Sequence, residues 1–228
     1  DATSHQLVPS VKWGLDNIGN RVYLVGSNYV FPRAANAIIN DQIKSLKGEV
    51  LGEGYIKLGS NEVGAIVEEI LLLKPDVILS TINGDTNVAF FKALRERGVT
   101  PDVIPTVSFS IAETELKQMG SDAFVGDYAA WNYFESIDSD TNKKFIAEFK
   151  KRFGEDRVVT DPMEAAYIGV HLWAKAVNKA GSTDVAQVRE ALKLSSFAAP
   201  EGAISVDPKS LHLWKWVRIG RVNPSGQF

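Results

Sequence analysis

The 228-residue chain has no cysteine. That excludes disulfides, thiolate nucleophiles and cysteine-ligated metal sites at once, and it is compatible with an oxidising compartment. Histidine is scarce: His5 lies near the start, His171 in a helical stretch and His212 in a loop, and this spacing makes no metal site. Long hydrophobic runs are missing too. The longest, such as Ile70–Leu73, have the length of a strand or helix core, far below the roughly 18 residues of a membrane span, so direct membrane insertion is not expected. Basic excess is also lacking. A net charge of −3 and a pI near 5.7 give no basic face for a nucleic-acid partner. A G-x-S-x-G nucleophile elbow and a P-loop are both absent, and Gly52-Glu53-Gly54 has no third glycine at dinucleotide-fingerprint spacing. We therefore expect no enzyme, no cofactor and no metal.

What is present is a soluble-protein balance, with 45% apolar and 23% charged residues, arranged in a repeated pattern. Arg21–Arg33 reads as a buried strand, Val22–Val25, that breaks at Gly26. A polar tip, Ser27-Asn28-Tyr29, then leads through Pro32 into a helix with Ala35, Ile38, Ile39, Ile43 and Leu46 on one face, ended by Gly48. The stretches VILSTINGDTN (77–87), IPTVSFSIAE (104–113) and FVGDYAAWNY (124–133) repeat the order of apolar run, polar tip and helix. Further strands are expected at Val50–Ile56, Val77–Thr81, Ile104–Ser108 and Ala123–Trp131. Helices are expected from Gly59-Ser60, over Asp85–Arg97 and over Ala112–Met119. Such alternation predicts an α/β fold with a doubly wound parallel sheet. Ligands of that fold bind outside the carboxyl ends of the strands, so the tips are the candidate site.

Before the first strand, Pro9–Asn17 reads as a helix. An α/β chain rarely opens on a helix, and we expect the sequence to begin partway into its protein. After Tyr133 the pattern changes. Phe145, Phe149 and Phe153 line a helix, and Asp161-Pro162-Met163-Glu164 reads as a helix start with Asp161 as N-cap. That helix runs to Lys179 and is apolar on more than one side. Ala186–Leu194 is a shorter helix, and the chain ends in a β pattern, with Ile204/Val206 followed by Leu213–Val222. These elements do not extend the first sheet and read as an incomplete second lobe. The expected division is a crossover helix (1–20), a doubly wound lobe (21–131), part of another lobe (132–199) and a C-terminal hairpin (200–228).

Two readings are open for each tip residue. Asp85, which follows Gly84, is a helix N-cap or a carboxylate accepting a ligand's N–H groups. Tyr29 packs on Phe31 as loop cover, or its hydroxyl orients a small polar ligand. Ser108 and Ser110 are turn residues or ligand contacts. Tyr128, Trp131 and Tyr133 wall the cleft or pack a junction. Asp127 is either paired or solvent-facing at an edge, and Arg33 reaches the cleft or is a surface or lobe-contact charge.

The runs VGSNYVFPRAAN, STINGDTNVAFFKALR, SFSIAETEL, VGDYAAWNYFESIDS, DPMEAAYIGVHLWAKAV and WVRIGRVNPSGQF resemble the urea and short-chain-amide binding proteins of ABC transporters. Those are type I periplasmic binding proteins, and the likeness extends over nearly all of the chain. It implies two doubly wound lobes with the ligand between them, Arg21–Trp131 forming the second lobe and the beginning of the first lobe having no counterpart here. It implies ligand contact by Tyr29 and by the loop Asn83, Gly84 and Asp85, with Ser108 and Tyr128 as further contacts. It also implies a small neutral ligand, a membrane ABC permease as partner, and a location in the periplasm or anchored outside a cell that has no outer membrane. Two alternatives share the fold: a ligand sensor acting on a partner protein, and an amino-acid binding protein whose Asp85 receives the α-ammonium.

Overall fold

The computed structural model describes residues 3–228, with side chains from His5 onward. In chain order the elements are α1 (Thr3–Asn17), β1 (Arg21–Ser27), α2 (Val30–Ser45), β2 (Glu49–Ile56), α3 (Gly64–Leu73), β3 (Val77–Thr81), α4 (Thr86–Glu96), β4 (Thr106–Ser108), α5 (Glu113–Met119), β5 (Tyr128–Trp131), α6 (Asp140–Phe153), α7 (Asp161–Ala180), α8 (Val185–Leu192), β6 (Ser196–Ala199), β7 (Gly202–Val206), β8 (Leu213–Trp214) and β9 (Arg218–Arg221). The chain divides into two compact units. One comprises Thr3–Trp131 with Val217–Phe228, and the other Asn132–Trp216.

The larger unit holds a six-stranded sheet in the order β2-β1-β3-β4-β5-β9, parallel except for β9, which runs antiparallel to β5. The central strands are apolar on both faces because helices cover both. Val22 and Leu24 of β1 face the side packed by Leu7, Val11, Ile39 and Ile43 of α1 and α2. Tyr23 and Val25 face the side packed by Val67, Ile70, Phe90, Phe91 and Leu94 of α3 and α4. This is the period-two alternation of a doubly covered strand.

β1 does not break at Gly26 but continues to Ser27, because a residue without Cβ lets the strand lie against its neighbours. A Cβ on Gly26 would stand 2.5 Å from Thr81 Oγ1 and 2.8 Å from Pro32 Cβ. Gly26→Ala is therefore expected to cost about 1–3 kcal/mol of stability through overpacking, read as a lower midpoint in urea denaturation. A midpoint unchanged from the parent would show that β1 and α2 move apart freely.

Several boundaries differ from the sequence expectation. α3 starts at Gly64 rather than Gly59, since Gly59 has φ +75° and the Ser60 hydroxyl accepts a turn bond from the Glu62 N–H at 3.1 Å. β4 begins at Thr106, two residues past Ile104. The predicted strand Ala123–Trp131 is half turn. Ser121–Ala123 forms a 3-10 turn, Gly126 takes φ +101°, and extension starts only at Tyr128. The terminal β stretch is not one hairpin: β8 stays with the 132–216 unit, whereas β9 closes the edge of the first sheet. That second result corrects the expectation that nothing after Tyr133 joins the first sheet.

The 132–216 unit packs α6, α7 and α8 with the three-stranded antiparallel sheet β6-β7-β8. Ile168 and Leu172 of α7 meet Ala199, Ile204 and Val206 in its core. α7 also leaves Val170 and Trp173 more than half exposed. Its N-cap is Thr160 rather than Asp161. Asp161 Oδ2 instead accepts the backbone N–H groups of Asn132 and Tyr133, both at 2.9 Å, so it secures the start of the unit and not the start of its own helix.

Candidate ligand-binding site

In the order 2-1-3-4-5, the strand sequence reverses direction between β1 and β3, and their carboxyl ends flank the switch point where doubly wound sheets bind ligands. The tips that emerge there are Ser27–Tyr29 and Ile82–Asp85. Parallel pairing sets Gly26 beside Thr81, which brings together two loops more than fifty residues apart in sequence.

Two hydrogen bonds fasten the two tips, and a third braces Asn83 on its own strand. The Ser27 hydroxyl, fully buried, accepts the Asn83 N–H at 2.9 Å. The Asn83 side-chain amide donates to the Tyr29 hydroxyl at 3.1 Å and to the Thr81 carbonyl at 3.2 Å. Underneath, the Thr81 hydroxyl bonds the side-chain carbonyl of Asn36 at 3.0 Å. Tyr29 is 37% exposed, with its ring tilted against Phe31 at 6.4 Å between centroids. Loop cover and an outward hydroxyl thus coexist in one side chain. Its oxygen already accepts from Asn83, so its O–H remains a donor.

Gly84 has φ +68°, the left-handed conformation that lets the loop turn directly into α4. Asp85 stands at the N-cap position in right-handed helical conformation, and its carboxylate makes no capping bond. The cap reading is thereby corrected: among the described residues this exposed carboxylate has no partner. Tyr29, Asn83, Gly84 and Asp85 therefore form one polar surface, with a hydroxyl donor and a free carboxylate on a short, braced frame.

The other predicted residues are engaged in structural contacts, some at the tips and some away from them. Ser108 ends β4 but is only 1% exposed, and its hydroxyl oxygen accepts the N–H groups of Ser110 and Ile111 at 3.2 and 3.1 Å, a turn role. Ser110 bonds the Ile82 carbonyl. Tyr128 opens β5 and so lies at the amino end of the sheet, away from the tips. There it meets Trp13 edge-on at 5.0 Å and takes Arg221 over its ring at 5.8 Å. Its assignment to the tip followed from starting the strand five residues early. Trp131 Nε1 donates to the Ile111 carbonyl at 2.7 Å. Asp127 is buried and paired with Arg95. Arg33 is occupied, with Nε and Nη2 on the Asn28 side-chain oxygen at 3.0 and 2.8 Å and its guanidinium over Tyr55 at 4.3 Å. Sequence reasoning missed Ser27, Thr81 and Asn36 as the base of the site. Their one visible signal was polarity inside otherwise apolar runs.

This geometry is that of a doubly wound α/β sheet with a polar surface at its switch point, the position where such sheets bind ligands. The chain matches the family model "Periplasmic binding protein domain" over residues 1–228, and it belongs to that family. It is 27% identical over 218 residues to Leu/Ile/Val-binding protein homolog 6 of Brucella melitensis, covering 94% of this chain and 56% of that protein. It is 36% identical over 110 residues to a protein named limonene hydroxylase from Geobacillus stearothermophilus, a match covering 48% of this chain and 20% of that one. A solute binding protein of an ABC transporter from Rhodopseudomonas palustris, solved with p-hydroxybenzoic acid, shares the fold at TM-score 0.89 and 24% identity, covering 99% of this chain and 62% of that chain. A branched chain amino acid ABC transporter periplasmic ligand-binding protein from Burkholderia xenovorans shares it at TM-score 0.84 and 20% identity, covering 99% and 60%. The chain thus spans less than two thirds of the length of each of these relatives. No helix among the described residues is long and apolar enough to cross a membrane.

Proposed function

We propose that the chain binds urea or a short-chain amide at the surface formed by Tyr29, Asn83, Gly84 and Asp85, and delivers it to a membrane ABC permease from the periplasm or the outer cell surface. The observation that carries this reading is the unpartnered Asp85 carboxylate two residues after Asn83, whose side-chain amide engages the Tyr29 hydroxyl oxygen and leaves its O–H as a donor. A planar amide is complementary to the two groups in chemistry, its N–H groups suiting the carboxylate and its carbonyl the Tyr29 O–H. Membership of the binding-protein family and the resemblance of the GSNY and TINGD runs support the same assignment.

A carboxylate ligand such as a benzoate suits this wall poorly. Against Asp85 at about 4 Å and an effective dielectric near 20, the repulsion would be about 4 kcal/mol, and Arg33 is turned to Asn28 and Tyr55. A second reading, an amino acid with its ammonium on Asp85, is favoured by the likeness to the Leu/Ile/Val-binding homologue.

Calorimetric titration of the full-length protein with urea, acetamide, formamide, leucine and 4-hydroxybenzoate tests the proposal. Saturable binding of urea or an amide, without release of ammonia, is the expected result. Binding of leucine alone would select the second reading. Tight binding of the benzoate would overturn both.

A further inference from the structure

The 132–216 unit buries three carboxylates around the Lys215 ammonium. Glu164 and Glu201 are wholly inaccessible, Asp161 is 8% exposed and the Lys215 side chain 4%. Asp161 and Glu164 come from the first turn of α7, Glu201 from the turn between β6 and β7, and Lys215 from the residue after β8. If all four were ionised, three carboxylates would crowd around the Lys215 ammonium away from water. Buried like charges avoid this by keeping a proton.

The contacts decide which group keeps the proton. Asp161 receives two backbone N–H groups at 2.9 Å, which favour its ionised form. Glu201 has the ammonium, with Lys215 Nζ 3.2 Å from Oε1. Glu164 has only the Glu201 N–H at 3.3 Å on Oε1, and its Oε2 has no hydrogen-bond partner. The helix N-terminus favours an anion only modestly, and Asp161 stands nearer to it.

We propose that Glu164 is held as a neutral acid in the folded protein, and that its ionisation as pH rises loosens the start of α7 from the β6–β7 turn. In agreement, burial and then the Glu201 charge push the Glu164 carboxyl up to about 7 from its ordinary 4.5, with Lys215 opposing. Burial raises Asp161 as well, against Lys215 and its two N–H donors. The folded state then binds a proton that the unfolded chain has released. Stability is full below the ordinary carboxyl range and falls as pH rises to about 7, the folding equilibrium constant dropping about tenfold per pH unit in that window.

The test is NMR on the intact protein with glutamate labelled at the side-chain carboxyl carbon, which leaves every aspartate silent. One glutamate is expected to titrate near neutrality, its resonance to vanish in Glu164→Gln and to persist in Glu201→Gln. The stability of Glu164→Gln should lose this tenfold-per-unit contribution. If the parent protein shows no glutamate that stays protonated above the ordinary range, the proposal fails whether or not the variants fold. If the resonance survives in Glu164→Gln, the proton belongs to another residue and the assignment is overturned.

Discussion

Arg95→Met is expected to destabilise the protein by about 3–5 kcal/mol at pH 8, because it leaves a buried carboxylate without its counter-charge. Arg95 Nη2 bonds Asp127, which is 2% exposed, and Asp127 Oδ1 accepts the Thr106 N–H at 2.8 Å. The same guanidinium donates to the carbonyls of Ala123, at 2.8 Å, and Val99. It thus ties the end of α4 to the turn before β5, while Asp127 ties that turn to the start of β4. The loss depends on pH. Burial raises the Asp127 carboxyl to about 7, with Arg95 and the Thr106 N–H pulling it down. A raised folded value means that stability declines as pH climbs from the ordinary carboxylate range towards 7 and levels off beyond it. Removing Arg95 raises the folded value further, so the decline continues above 7 and the variant is weakest in alkaline buffer. Near pH 5 Asp127 takes up a proton and part of the loss returns. Adding Asp127→Asn should recover stability at pH 8 by a coupling of about 0.5–3 kcal/mol. Urea denaturation at pH 5 and pH 8 checks this. Equal losses at both would show that the lost carbonyl contacts, and not the stranded charge, set the cost.

That pair also shows where the sequence could be read and where it could not. β1 and β3 were visible because they are apolar on both faces, and Val77–Thr81 is found at its expected bounds. α2 was visible because Ala35, Ile39 and Ile43 recur at helical spacing and are all buried. The turn before β5 was not. Phe124 and Val125 imitate a strand locally, but the conformation there is fixed by Gly126 at φ +101° and by an ion pair to a residue 32 positions away. The partner of β9 was hidden for the same reason: WVRIGRV has strand character, and nothing within it distinguishes β8 from β5 as its neighbour. Asp161 was correctly read as lying at a helix start, but its acceptor capacity goes to Asn132 and Tyr133. In the candidate site, the tip residues Tyr29 and Asp85 could be named from the local pattern, and Asn83 through the resemblance of the TINGD run. Their union required the adjacency of β1 and β3, which the doubly wound order supplies. Ser27, Thr81 and Asn36, the buried polar base, make sense only once that adjacency is known.

Asp85→Ala is expected to weaken binding of the ligand by about 10- to 100-fold, the worth of a hydrogen bond to a charged group shielded from water. The carboxylate makes no capping bond and is exposed, so the substitution should change stability by no more than about 0.5 kcal/mol. Affinity and stability therefore separate in this variant, whereas a capping role would move them together. Asp85→Asn refines the result. Its amide oxygen still accepts an N–H, so a urea or amide ligand should lose less affinity than in Asp85→Ala. An ammonium loses its counter-charge in either variant, so Asp85→Asn should recover less of its affinity than it does for a neutral amide. Tyr29→Phe removes the O–H donor while Asn83 keeps the Thr81 carbonyl at 3.2 Å, and a neutral hydrogen bond of this kind corresponds to roughly 2- to 10-fold in affinity. Titration of the three variants with whichever ligand binds the parent protein reads all of these effects. Unchanged affinity in both Asp85→Ala and Tyr29→Phe would remove the switch point from the binding site. A loss confined to Asp85→Ala would leave the carboxylate as the contact and reassign Tyr29 to loop cover against Phe31.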